Sequence, residues 1–119
     1  LIIRAEKPAD ILWALEQTLR CKSFGAVIGW PTLIKDRDTR RLQLAAEAGR
    51  SVGFLYRSAG AAIESSPAAV RLKLKPAPSG DLSIDVLKCR GTRGGFSVRI
   101  ASDATNKSEE QHVALLARN

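Results

Sequence analysis

The chain has 119 residues, 45% of them apolar, 26% charged and a formal net charge of +7. That length suits one domain with a single core, and no apolar run approaches the roughly 18 to 20 residues of a membrane-spanning helix. Two cysteines (Cys21 and Cys89) are too few for a disulfide scaffold, so free thiols in a reducing cytoplasm are expected, and a single histidine (His112), near the C-terminus among polar residues, argues against a histidine-rich metal site and a Ser/His/Asp hydrolase.

In chain order, the apolar run of residues 1–5 before Pro8 predicts a first strand. Asp10 to Arg20 carries Ile11, Leu12, Leu15 and Leu19 on one stripe and predicts an amphipathic helix that leaves Trp13 roughly opposite, as a candidate protein contact. Phe24 to Trp30 is almost continuously apolar, as a strand covered on both faces would be, and Pro31 ends it. A second helix is expected from Asp36 or Asp38, with Leu42, Ala45 and Ala46 inward and Gly49 as its C-terminal cap, followed by a third strand over Ser51 to Arg57. Three strands separated by helices predict successive right-handed crossovers and a parallel βαβαβ sheet.

Ser58 to Ala69 is small and Ser-rich and predicts a loop or a marginal helical turn. Next, "VRLKLK" alternates strictly, with Val70, Leu72 and Leu74 on one face and Arg71, Lys73 and Lys75 on the other, which is expected to face water. "LSIDV" alternates again, and Gly91, Gly94 and Gly95 turn the chain into "FSVRI", completing an antiparallel meander. The alternation changes sign after Val86, so that Lys88 and Arg90 fall on the side where apolar residues had been. Either a bulge re-aims the strand or it runs past the core and presents both cations at the rim of the sheet. Residues 102–119 are expected to be a polar tail with one amphipathic turn, separate from a core over 1–101.

Charge is concentrated in the meander. Residues 71–99 hold seven Lys or Arg against Asp81 and Asp85, a patch that favours polyanions or acidic protein surfaces. Arg71, Lys73 and Lys75 are the candidate DNA or polyanion contacts. The segment from Ser58 to Ala69 has neither the cations nor the aromatics that nucleic acid requires.

The ordered set of segments resembles the second half of the RecA-type recombinase core, an α/β mixed sheet in which a parallel βαβαβ part leads into an antiparallel β-meander. "LWALEQTLRC", "RRLQLAAEAG", "SPAAVRLKLKPAPS" and "VLKCRGTRGG" are similar to ImuA, the RecA-like accessory family of a bacterial mutagenic lesion-bypass cassette. The resemblance covers about residues 1–101. It implies a non-catalytic accessory protein of the DNA damage (SOS) response and translesion synthesis. The implied setting is cytoplasmic and bacterial, without cofactor or metal. The implied partners are a RecA-like protein and lesion-bypass polymerase subunits, with DNA and a homo-oligomer as further expectations.

Within this resemblance Lys88 and Arg90 take the place of two RecA lysines that reach into the neighbouring subunit's nucleotide site, and so imply a partner or subunit interface. Arg57 stands where RecA has a glutamine that senses the terminal phosphate. Guanidinium cannot accept a hydrogen bond to orient water, but it can hold an anion. The strand that carries an acid in RecA ends here in Gly29, Trp30 and Pro31, and no GxxxxGK[ST] occurs. Two alternatives follow: a SulA-like inhibitor of FtsZ assembly, which shares the shortened RecA-like plan, and a RecA-type ATPase with its phosphate loop upstream.

Overall fold

The computed structural model describes residues 1–101 in full and 111–116 as backbone. The elements run α1 (Pro8–Arg20), β1 (Ala26–Gly29), α2 (Asp36–Gly49), β2 (Val52–Ser58), a 3-10 helix (Ala59–Ile63), β3 (Val70–Pro76), β4 (Leu82–Cys89), β5 (Phe96–Ile100) and β6 (Gln111–Leu116). They form a mixed six-stranded sheet in the order β1-β2-β6-β3-β4-β5. The parallel pair β1 and β2 flanks α2 in sequence, and β3, β4 and β5 form the expected antiparallel meander.

Both helices start and pack for local reasons. Pro8 opens α1 where its missing N–H costs nothing, and Asp10 and Arg20 complement the two ends of the helix dipole. At α2 the Lys35 N–H donates to Asp38 Oδ2 at 3.0 Å, satisfying one otherwise orphaned donor. Leu15 and Leu19 from α1, Leu42, Ala45 and Ala46 from α2, and Val27 and Leu55 from the strands form the core. It lies between the helices and one face of the sheet.

Several expectations are corrected. Residues 1–5 are not a strand, so one βαβ crossover is present where two were expected. Their apolar side chains line a groove beside α1 and β1, which explains the composition without strand pairing. β1 is a sheet edge and is covered on one face only. Val27 and Gly29 are buried, whereas Ala26 and Ile28 are exposed. Gly49 is not the helix cap, because Arg50 takes the left-handed conformation at φ 56°. Gly49 is instead a packing contact, since a Cβ there would lie 1.9 Å from the Leu19 carbonyl oxygen. The Ser51 hydroxyl donates to that same oxygen at 2.7 Å, which ties the end of α1 to the start of β2.

The largest difference lies in the segment expected to be a tail. β6 enters the middle of the sheet, antiparallel to both β2 and β3, and joins the parallel pair to the meander. The rest of that segment, 102–110 and 117–119, lies outside the described residues.

Candidate functional site

Registry across the sheet sorts the candidate residues onto two faces, because directly paired residues share a face. Arg71 pairs with Lys88, but Leu72 pairs with Val86, so Leu87 is an extra residue in β4. The phase change in the sequence is therefore a bulge. It turns Lys88 onto the face that also carries Arg71, Lys73 and Lys75, and this is the face bearing the helices.

Four of the candidate cations are tied to other parts of the chain, Arg71 in a buried position and Lys88 and Arg90 at exposed ones. Arg71, expected to face water, is only 8% exposed. Its Nη2 donates to the carbonyls of Ala61 at 3.0 Å and Ala62 at 3.2 Å, which pins the 3-10 helix to β3. Burial, with the nearby Arg57 charge, pushes the Arg71 guanidinium down from its ordinary value, while Glu64 and Asp36 oppose the shift. Arg57 pairs with Glu64 at 2.9 Å. Lys88 Nζ donates to the Ser66 carbonyl at 2.9 Å, and the backbone N–H of Arg90 donates to the Ala69 carbonyl at 2.9 Å. With the Gln43 amide oriented to satisfy its neighbours, it accepts from Arg90 Nη2 at 3.2 Å and donates to the Pro67 carbonyl at 3.1 Å. Arg57, Arg71, Lys88 and Arg90 thus clamp the segment 61–69 against the sheet and α2; of the loop or marginal helical turn expected there, the turn is present as the 3-10 helix Ala59–Ile63, and the residues after it form a strap.

The remaining basic residues lie further along the meander. Lys75 pairs with Asp85 at 2.7 Å, and the Ser97 hydroxyl donates to Asp85 at 2.6 Å. These hydrogen bonds, that from Lys75 first, hold the Asp85 carboxyl below the usual carboxylate range. Lys73 is half-buried beside them. The polyanion strip expected from Arg71, Lys73 and Lys75 is shortened at its first member, where the guanidinium already serves two carbonyls.

Trp13 is 63% exposed on α1, which packs on α2 and β1. Lys88 lies on β4, with β2, β6 and β3 between it and β1, so the structure does not bring Trp13 together with Lys88 and Arg90. Beside α1, a groove of about 560 Å³ runs between residues 1–5 and the open edge of β1, lined by Ile2, Ile11, Phe24, Ile28 and Trp30 among others.

The opposite face of the sheet carries the feature that single-strand patterns do not reveal. Ile28 pairs with Phe54, Phe54 with Leu115, and Leu115 with Val70. Leu72 pairs with Val86 and Val86 with Phe96, while Ile84 pairs with Val98. The even-numbered apolar residues of β3, β4 and β5 therefore continue the face of Ile28 and Phe54. Their neighbours Trp30 and Tyr56 stack with ring centroids 5.6 Å apart. Among the described residues no helix covers this face. Its members on β1 to β5 are half-buried or exposed, with Ile28 at 54% and Val98 at 47%. The alternation in each strand was the available signal. That the apolar side of the meander lacks a cover among the described residues follows only from where the helices lie.

Two curated proteins are similar to part of this chain. The cell division inhibitor SulA of Edwardsiella piscicida is 36% identical over 53 residues, which is 44% of this chain and 32% of that protein. The cell division inhibitor SulA of Photorhabdus laumondii subsp. laumondii is 36% identical over 61 residues, 51% of this chain and 34% of that protein. The similarity is distant and partial, and the chain spans about a third of the length of these relatives. No family model matches the sequence, and no solved structure matches it. The ImuA resemblance receives no support from these matches, which favour the SulA side of the RecA/SulA plan. No helix among the described residues is long and apolar enough to cross a membrane.

Proposed function

We propose that this chain is a SulA-like, non-catalytic protein that acts by binding another protein, with the division protein FtsZ as its target, in the cytoplasmic response to DNA damage. The observation that carries the reading is the 36% identity to two cell division inhibitors over 53 and 61 residues. The described residues supply surfaces suited to protein contact: an apolar sheet face that none of them covers, a strand edge at β1 that none of them pairs, and the exposed Trp13. Four cations that could have served a nucleotide or DNA are engaged in internal hydrogen bonds or ion pairs, which lowers their availability for polyanions.

Binding of FtsZ to the immobilised chain, measured by interferometry, tests the target. Saturable, stoichiometric binding is expected, and no binding at tens of micromolar FtsZ would exclude it. A second reading, an accessory factor contacting RecA-like and lesion-bypass polymerase proteins, is favoured by the ImuA-like segments together with the basic face at Lys73 and Lys75. Binding of those proteins, or of DNA with a steep salt dependence, in place of FtsZ would select it.

A further inference from the structure

We propose that the outer surface of α1 and α2 is a docking site for an acidic, amphipathic segment of a partner protein. On α2 the exposed residues Arg37, Arg40, Arg41 and Leu44 recur at i, i+3, i+4 and i+7, so they share one stripe turned away from the core. On α1 Trp13 stands one turn before Glu16 and two turns before Arg20, on the side next to that stripe. Glu16 joins the two helices there, accepting from Arg20 at 3.0 Å and from Arg41. The result is one surface in which two apolar anchors, Trp13 and Leu44, stand exposed among four arginines. None of these six residues belongs to the core.

Charge and preorganisation decide the kind of partner. The half-buried Glu16 holds the Arg20 and Arg41 guanidinium groups in place while leaving most of each exposed, so both keep N–H donors for a second carboxylate at little further cost in side-chain freedom. Arg40 has no acidic partner among the described residues, and Arg37 approaches Asp38 only to 3.8 Å. Asp36, Asp38 and Glu16 lie between these cations and would repel the continuous phosphates of a nucleic acid, whereas separate carboxylates can be placed around them. Leu44 likewise offers a phosphate backbone nothing, but with Trp13 it suits the apolar side of a protein segment. The helices have 13 and 14 residues, so each is about 20 Å long, and packed helices lie about 8–10 Å apart. That strip is smaller than the roughly 800 Å² per partner of a standard interface, and it fits a single helix laid along the pair. Apolar residues at helical spacing would meet Trp13 and Leu44, with Asp or Glu on either flank reaching the arginines. This extends the reading of the chain as a protein-binding molecule but does not rest on FtsZ as its target, and its test uses no FtsZ.

Trp30→Phe leaves Trp13 as the sole indole and keeps a ring to stack on Tyr56, so the fluorescence of that protein reports on the surface itself. The probe is a synthetic peptide of about 18 residues, or about five helical turns, with Leu along one face and Glu on its flanks. A saturable blue shift of Trp13 is expected at tens of micromolar peptide, weakening as salt is raised. Arg37→Glu together with Arg40→Glu, and separately Leu44→Ser, are each expected to weaken binding by about tenfold or more. Arg99→Ser, on β5, is expected to leave it unchanged. If circular dichroism shows the glutamate variant to be unfolded, Arg37→Gln with Arg40→Gln replaces it, with a smaller loss in the same direction. No saturable shift at about 100 µM peptide, equal binding of the peptide with Gln in place of Glu, or helix-surface variants that bind as the parent does would overturn the proposal. Tighter binding of single-stranded DNA or of anionic vesicles than of the peptide would overturn it as well.

Discussion

Gly49→Ala is the sharpest test of how the two helices meet, because propensity and packing predict opposite signs. Gly49 is the last residue of α2, and its backbone is not in the left-handed region, so alanine should stabilise the helix by about 0.5–1 kcal/mol on propensity alone. An added Cβ, however, would lie 1.9 Å from the Leu19 oxygen and 2.9 Å from the carbonyl carbons of Leu19 and Arg20. These are backbone atoms at the end of α1 and cannot rotate aside, so the helices must separate by more than 1 Å. Overpacking of this kind costs about 1–3 kcal/mol, occasionally more, and here it also strains the Ser51 hydrogen bond to the same oxygen. The net expectation is a loss of about 1–3 kcal/mol, read as a melting temperature lowered by roughly 4–12 °C for a chain of this size. Gly60→Ala serves as the control, since nothing lies within 4 Å of its Cβ position. Urea and thermal unfolding followed by far-UV circular dichroism supply both numbers. A Gly49→Ala protein as stable as the parent, or more stable, would refute the close crossing of α1 and α2.

Arg71→Ala should destabilise the fold by about 1–3 kcal/mol by removing the guanidinium hydrogen bonds to the Ala61 and Ala62 carbonyls, and limited proteolysis should then cut within residues 58–69. Glu16 accepts from Arg20 at 3.0 Å and from Arg41 on α2; burial alone would raise its carboxyl, but the hydrogen bonds from Arg41 and then Arg20 outweigh it and lower the value. Because the folded value is depressed, the stabilisation is present above the ordinary carboxylate range near 4.3 and is lost as pH falls through the folded value. Glu16→Gln should therefore remove about 0.2–1 kcal/mol at pH 7 and flatten the acid limb of a stability–pH curve. Lys88→Ala with Arg90→Ala should keep the fold, both side chains being exposed, and loosen the 66–69 strap, seen as faster amide hydrogen exchange there.

The helices and the meander were legible because their signals are local. The stripe of Ile11, Leu12, Leu15 and Leu19 and the alternation of "VRLKLK" each specify an element and its apolar side within a few residues. The sign change at Leu87 was legible as well, although only the registry against Arg71 and Leu72 distinguishes a bulge from an overrun. What depends on distant chain was not legible. β6 is held by pairing to β2 and β3, some 40 to 60 residues earlier, and its polar surroundings concealed it. Gly49 suited a cap equally well until the Leu19 carbonyl was found against it. Arg71 looked like its neighbours Lys73 and Lys75, yet it alone is capped by the 3-10 helix that precedes β3. Of the candidate site, the residue types were readable, whereas their internal anchoring and the uncovered reverse face needed the assembled sheet.

FtsZ assembly measured by light scattering and pelleting, with the chain added at equimolar and twofold amounts, tests the functional account most directly. The account predicts a dose-dependent loss of sedimentable polymer that is nearly complete at stoichiometric addition. Unchanged polymer at twofold excess would contradict it.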